Sequence, residues 1–356
     1  MRYNNILITG GAGFVGSSLA IKLKEKYPKI SVTALDNLKR RGSELNLARL
    51  KEKGIVFLHG DIRNKEDFEE IGKTDLLLEC SAEPSVLAGI GSSPEYLINT
   101  NLLGTINCLE FARTRGADFM FLSSSRVYPI ETLNNLNFIE GETRFSLSDR
   151  QSVAGVSAEG VSEGFPLSGA RSLYGATKLC SELMLQEYCY NYGVKSIINR
   201  CGVITGPWQM GKVDQGVFVL WVAKHIFGGK LTYIGYGGEG KQVRDFIHVS
   251  DLFDIIDIQL NDFPKFSGQT FNVGGGLGNS VSLCELTKVC EEITGNKIKI
   301  SKVREERPAD LKLFIANCAK IKKITGWQPK KDIKKTISDI AEWILKNKKK
   351  LKPILS

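Results

Sequence analysis

The chain has 356 residues, 42% hydrophobic and 24% charged; the length suggests about two domains and the balance is near the soluble globular average. That balance excludes a disordered tail, a collagen-like repeat and a coiled coil, and no apolar run approaches the roughly 18 residues of a transmembrane helix. The net charge of +9 is local: between Lys320 and Lys352 twelve lysines stand against Asp332, Asp339 and Glu342 and account for the whole excess. Such a run reads first as the solvated face of a terminal helix, and second as a nucleic-acid or lipid contact.

The N-terminus, Met1-Arg2-Tyr3-Asn4-Asn5, leads into Ile6-Leu7-Ile8, a strand and not a signal peptide, so a soluble cytoplasmic chain is expected. Strands are predicted at 5–9, 30–36, 56–61, 75–80, 118–123 and 195–200, with helices from the first glycines to Lys26 and over 173–190. Strand–helix alternation with nearly continuous apolar strands predicts an α/β fold: a Rossmann-type doubly wound parallel sheet with a smaller C-terminal α/β domain. The expected division is a first domain of 1–202 with about 242–275, and a second of 203–241 and 276–356. Residues 131–172, rich in Ser, Gly, Asn and Glu, read as a long irregular excursion, and a terminal helix is predicted around 333–346. The eight cysteines include no CxxC pair and read as reduced core thiols. The three histidines lack metal-ligand spacing, so no metal is expected.

Three motifs carry chemistry. Thr9-Gly10-Gly11-Ala12-Gly13-Phe14-Val15-Gly16 follows a strand and opens a helix; glycines there let a backbone approach a pyrophosphate, and the helix N-terminus binds it. The second strand ends in Asp36, where a carboxylate takes ribose hydroxyls and repels a 2′-phosphate, favouring NAD, a preference that Lys39, Arg40 and Arg41 weaken. Tyr174-Gly175-Ala176-Thr177-Lys178 sets a phenol and an ammonium one helical turn apart, where the charge lowers the phenol's pKa. A phenol so tuned takes a proton from a sugar hydroxyl as hydride leaves. Ser123-Ser124-Ser125 closes the fifth strand at the carboxyl edge where such sheets bind ligands. Each motif alone is common; together they are specific.

Together these motifs resemble the extended short-chain dehydrogenase/reductases, the superfamily of nucleotide-sugar epimerases and dehydratases, over nearly the whole chain. Further matches are Gly60-Asp61-Ile62, Asn101-Leu102-Leu103-Gly104-Thr105, and Arg244-Asp245-Phe246-Ile247-His248-Val249-Ser250-Asp251. The resemblance implies that Ser124, Tyr174 and Lys178 carry the chemistry. It implies NAD contacts from Gly10, Gly13, Phe14, Val15, Asp36, Asn37, Asp61, Ile62, Ser81, Ala82 and Asn101, besides Tyr174 and Lys178. On the substrate side it points to Glu83, Ser125, Lys212, Asp214, Gln215 and the diphosphate-reaching Arg244 and Arg307.

Within that superfamily the chain is most similar to the CDP-paratose 2-epimerases, through the insertion opening Glu140-Gly141-Glu142, the segment Asp214-Gln215-Gly216, and Gly238-Glu239-Gly240-Lys241-Gln242-Val243. The Asp-Glu pair of the dehydratases is replaced by Ser125-Arg126. The family's strand-four histidine is Glu79 here, and Val203 stands where many relatives carry Asn. The resemblance implies epimerisation at C2 of a CDP-linked deoxysugar, within lipopolysaccharide biosynthesis, by a homodimer or homotetramer. Nucleotide-sugar 4-epimerisation or net redox on the same scaffold is the first alternative. An NAD-binding or RNA-associated scaffold without catalysis is the remote one.

Overall fold

The computed structural model describes residues 1–212 and 215–356. The chain forms two units, one of residues 1–127, 173–200 and 252–271, the other of 128–172, 201–251 and 272–356.

The first unit holds, except for the last residues of β6 and β7, a sheet of seven strands: β1 (Asn5–Thr9), β2 (Ser31–Asp36), β3 (Val56–His59), β4 (Leu76–Glu79), β5 (Asp118–Ser124), β6 (Ser196–Cys201) and β7 (Gln269–Val273). Their order in the sheet is β7-β6-β5-β4-β1-β2-β3. β1 pairs parallel with β2 and β4, β2 with β3, and β4 with β5. The chain therefore winds outward from β1 to β3 and then returns to lay β4 on the other side of β1. That reversal is where open α/β sheets bind ligands, at the carboxyl ends of the strands. Helices α1 (Phe14–Lys26), α2 (Gly104–Arg115) and α3 (Leu173–Tyr192) belong to the same unit. Leu7, Leu35, Leu77, Phe119 and Phe121 pack with Leu109, Phe111 and Leu185 in one buried cluster. Their neighbours Ile6, Ile8, Ala34, Leu76, Leu78 and Met120 are also buried, so the strands are apolar on both faces because both are covered.

In the second unit the strand Val243–His248 pairs with Val203–Thr205, Ser280–Ser282 and Leu313–Phe314. Helix Val217–Phe227 packs against Leu283–Thr294 and Ile333–Lys346. Its Trp221 indole donates to Thr287 at 3.0 Å. Ser282 and Glu285 form a capping box at the start of 283–294, which satisfies two orphan N–H groups. Ile337, Ile340 and Ile344 bury one face of 333–346, and Leu351 and Leu355 anchor a further helix, Lys348–Leu355, whose lysines are exposed.

Three expectations are corrected. Residues 131–172 are not irregular throughout: Ile130–Asn134 is helical, and Phe138–Glu140 with Phe145–Leu147 and Val156–Ser157 with Gly160–Val161 are hairpins. Nor do residues 128–172 and 242–251 join the first unit, where the sequence reading puts them. The Val161 N–H donates to Ile315, Asn317 donates to Val161, and Phe145 donates to Lys241, so long-range backbone bonds, which no local pattern encodes, tie the excursion to the second unit. None of the eight cysteines is in a disulfide, but Cys180 is exposed and only Cys108, Cys201 and Cys290 are buried. No helix among the described residues is long and apolar enough to cross a membrane.

Candidate active site

The glycine loop joins β1 to α1 in a shape only glycine allows. Gly10 has φ +63°, and a Cβ there would lie 2.9 Å from the backbone of Cys80 and Ser81. A Cβ on Gly16 would lie 2.2 Å from the Gly10 carbonyl oxygen. Gly13 precedes the first turn of α1 and contributes no side-chain cap, which leaves the N–H groups of that turn for an anionic ligand. Phe14 and Val15 are half-buried in that turn. Asp36 ends β2 beside the loop; its Oδ2 accepts from the N–H groups of Ala12 and Gly13, both at 3.1 Å, and its Oδ1 from Leu38 at 2.8 Å. Burial raises its pKa and these three N–H donors oppose the rise. A narrow backbone cradle with a carboxylate at its rim fits a dinucleotide diphosphate and its ribose.

Around it, Asn37 donates to Asp61 at 2.7 Å. Burial alone would raise the Asp61 carboxyl, but Arg63 and Asn37 bring it down to about 2. Ile62 is buried against Gly104, where a Cβ would come within 2.6 Å of its side chain. Ser81 and Ala82 follow β4. Asn101 sits in a wide π-helical turn, Asn99–Leu103, and uses both ends of its amide on Glu83: Oδ1 accepts from the Glu83 N–H at 2.7 Å and Nδ2 donates to its carbonyl at 3.1 Å. Asn101 thus fixes the backbone of the 81–83 segment that follows β4. The Glu83 carboxylate accepts from the Ser85 N–H at 3.2 Å.

The Tyr/Lys pair lies on the first turns of α3. Lys178 is 2% exposed; its ammonium donates to the Leu122 carbonyl at 3.0 Å and lies 4.5 Å from the Phe121 ring centroid. Tyr174 is half-buried one turn before it. Ser124 closes β5, its hydroxyl accepting from the Arg126 N–H at 3.1 Å, and the turn Ser125–Val127 packs against α3. Ser181, also on α3, donates to the Asn101 carbonyl at 2.9 Å. Below them Ser123 donates to Glu182 at 2.5 Å, and Arg200 binds the same carboxylate at 2.7 Å. The loop, Asp36, Ser124 and the Tyr/Lys pair all belong to one unit, at the carboxyl edge of its sheet.

Of the remaining residues expected on the substrate side, Arg244 and Arg307 share one carboxylate within the second unit: Arg244 donates to Asp310 Oδ1 at 2.8 Å, and Arg307 lies 3.7 Å from Oδ2. Lys212 and Gln215 bond through their backbones, and the Lys212 side chain is exposed. Asp214 lies outside the described residues. Three residues tied to these groups were not singled out from the sequence. Asn46, buried, donates to the Ala12 carbonyl at 2.8 Å and clamps the glycine loop; nothing in its local sequence signals this. Asp310 lies in the Arg-Pro-Ala-Asp run with Arg307, where an acid three residues on was a readable partner. Tyr236, in the glycine-rich run before Arg244, has its phenol pushed up to about 12 by burial, then by Asp310 and Glu306.

Residues 6–274 match the model of the NAD dependent epimerase/dehydratase family. A CDP-paratose 2-epimerase of Salmonella typhi is 30% identical over 347 residues, covering 95% of this chain and 98% of that protein. Among solved structures, the UDP-glucose 4-epimerase of Thermotoga maritima with UDP-glucose is 26% identical at a TM-score of 0.77. It covers 96% of this chain and 99% of its own. The Thermus thermophilus UDP-glucose 4-epimerase complexed with NAD gives 25% identity and a TM-score of 0.76 at the same coverage. The chain belongs to the NAD dependent epimerase/dehydratase family, and its fold is the Rossmann-type α/β fold of the extended short-chain dehydrogenase/reductases.

Proposed function

We propose that this chain is an NAD-dependent epimerase of a nucleotide-linked deoxysugar, inverting C2 in the CDP-paratose/CDP-tyvelose pair. The observation that carries the proposal is the Tyr174/Lys178 turn at the Ser124 end of β5, in the unit that also holds the glycine cradle and Asp36. When bound, NAD supplies a reversible hydride acceptor. Tyr174 accepts the proton of the sugar hydroxyl while that carbon is oxidised, and returns it when the carbon is reduced from its opposite face. Lys178, buried and anchored on Leu122, stabilises the phenolate electrostatically, and Ser124 holds the reacting oxygen. Gly10, Gly13, Phe14, Val15, Asp36 and the 81–83 segment would hold the dinucleotide. Arg244 and Arg307 would meet the substrate diphosphate, with Glu83, Ser125, Lys212, Asp214 and Gln215 toward the sugar. Ser125 and Arg126 offer no acid–base pair for eliminating water, which argues against dehydration. The CDP-linked sugar rests on the named activity of the Salmonella relative. Exposed Leu183, Tyr190 and Tyr192 on α3, with Leu103, support a homo-oligomer.

The test is to denature the purified protein, identify the released nucleotide by mass, and incubate native enzyme with each CDP-sugar in D2O. NAD release and interconversion without deuterium at C2 are expected. Deuterium at C2 would refute hydride return, and absence of interconversion with NAD still bound would refute the substrate. The likeness to UDP-glucose 4-epimerases favours 4-epimerisation as the second reading, and UDP-glucose in the same assay tests it.

A further inference from the structure

Glu79 is an acid where the surrounding packing calls for none. It ends β4 in register with Thr9 of β1 on one side and Phe121 of β5 on the other. Register partners project to the same face of a sheet, so Glu79 shares its face with Phe121, whose ring carries the Lys178 ammonium. Toward the strand starts that face is the apolar cluster of Leu7, Leu77 and Phe119, and two residues beyond Phe121 it carries Ser123, which binds the Glu182–Arg200 pair. Glu79 is fully buried. Thr105 of α2 donates to its Oε1 at 2.6 Å, while the buried Oε2 has no hydrogen-bond partner. Leaving a buried acceptor unmade costs stability, so the carboxyl is unlike a packing residue.

Thr9 of β1 faces it by register, and Thr105, Cys108 and Lys178 interact with it from α2 and α3; Lys178 brings a positive charge, while Glu182, one helical turn further along α3, is a second buried carboxylate already paired with Arg200. Burial pushes the Glu79 carboxyl up to about 7, and Lys178 and Thr105 hold it from rising further. Burial also pushes up the Cys108 thiol, with Glu79 adding to the rise, so Cys108 stays neutral.

We propose that Glu79 is the buried counter-charge of Lys178, a positioning residue that sets how strongly the ammonium acts on Tyr174. The inference rests on Tyr174 being the base. The sign follows from charge: an ionised Glu79 offsets the ammonium and leaves the Tyr174 phenol harder to ionise, and a neutral one gives the ammonium its full effect.

The experiment titrates the NAD-loaded protein by tyrosinate absorbance, subtracting a Tyr174→Phe variant to isolate the Tyr174 signal. Glu79→Gln should move that midpoint to the acid side by roughly one pH unit, with the acid limb of the rate profile moving in parallel, and Glu79→Asp should stay near wild type. Thermal melting and NAD retention check folding. If Glu79→Gln does not fold, Thr105→Val substitutes for it: removing the donor favours the neutral acid and should shift Tyr174 the same way by less. A depressed Tyr174 titration that neither neutralising variant moves overturns the inference while sparing Tyr174 as base. A protein with no titration below the ordinary tyrosine range that Tyr174→Phe removes refutes Tyr174 itself.

Discussion

Arg200→Met removes one half of a buried ion pair. The side chains of Arg200 on β6 and Glu182 on α3 are 5% and 1% exposed. The guanidinium places Nε 3.1 Å from both Glu182 oxygens and a terminal nitrogen 2.7 Å from Oε2, and Ser123 donates to Oε1 at 2.5 Å. Methionine fills much of the volume but leaves the Glu182 charge with only the Ser123 hydroxyl from this set. Stranding a buried charge in this way costs about 3–5 kcal/mol, a factor above a hundred in the folding equilibrium. Removing both charges, in Arg200→Met/Glu182→Leu, should cost less than the single change because no ion is left unpaired. Ser123 precedes Ser124, and Glu182 lies about two helical turns beyond Tyr174. The pair therefore ties the strand end to the helix that carry the proposed chemistry. Urea unfolding followed by far-ultraviolet circular dichroism reads the effect. The reasoning is refuted if the single variant lies within about 1 kcal/mol of wild type, or if the double variant is as unstable as the two single ones combined.

Gly16→Ala places a methyl 2.2 Å from the Gly10 carbonyl, so the loop must shift and NAD affinity should fall at least tenfold (about 1.4 kcal/mol); calorimetry on the stripped protein checks it, and unchanged binding refutes the cradle. Tyr174→Phe should lower turnover by roughly 10²–10⁴ while NAD remains bound; unchanged turnover removes Tyr174 from the mechanism. Asp61 titrates near 2 in the folded chain against an ordinary 3.8. The depressed carboxyl adds stability above pH 4 and loses it as pH falls toward 2. Asp61→Asn should therefore flatten that part of the acid-denaturation curve, and a curve of unchanged slope there would refute the assignment.

Much of the first unit was legible because its signals are local. Apolar runs ending in Gly10–Gly16, Asp36 and Ser124 mark strand ends directly, since turn and helix-start chemistry is written within a few residues. The four-residue spacing of Tyr174 and Lys178 follows from helix geometry alone. Glu79 was readable as a departure from the family pattern, but its unpartnered oxygen was not, because burial on a sheet face is set by Phe121 and Thr105, distant in sequence. The same holds for Asn46 on Ala12 and for Asn101 on Glu83, side chains satisfied by backbone 34 and 18 residues away. Residues 128–172 went to the second unit through hydrogen bonds to 241, 315 and 317, which a composition rich in Ser and Gly cannot announce. Sequence by itself determined the nucleotide-binding class of this protein, because glycine turns, strand ends and helical spacing are short-range constraints. Tertiary structure decided which buried charges face one another, because Coulomb interactions and desolvation depend on distance and burial, and neither is set by order along the chain.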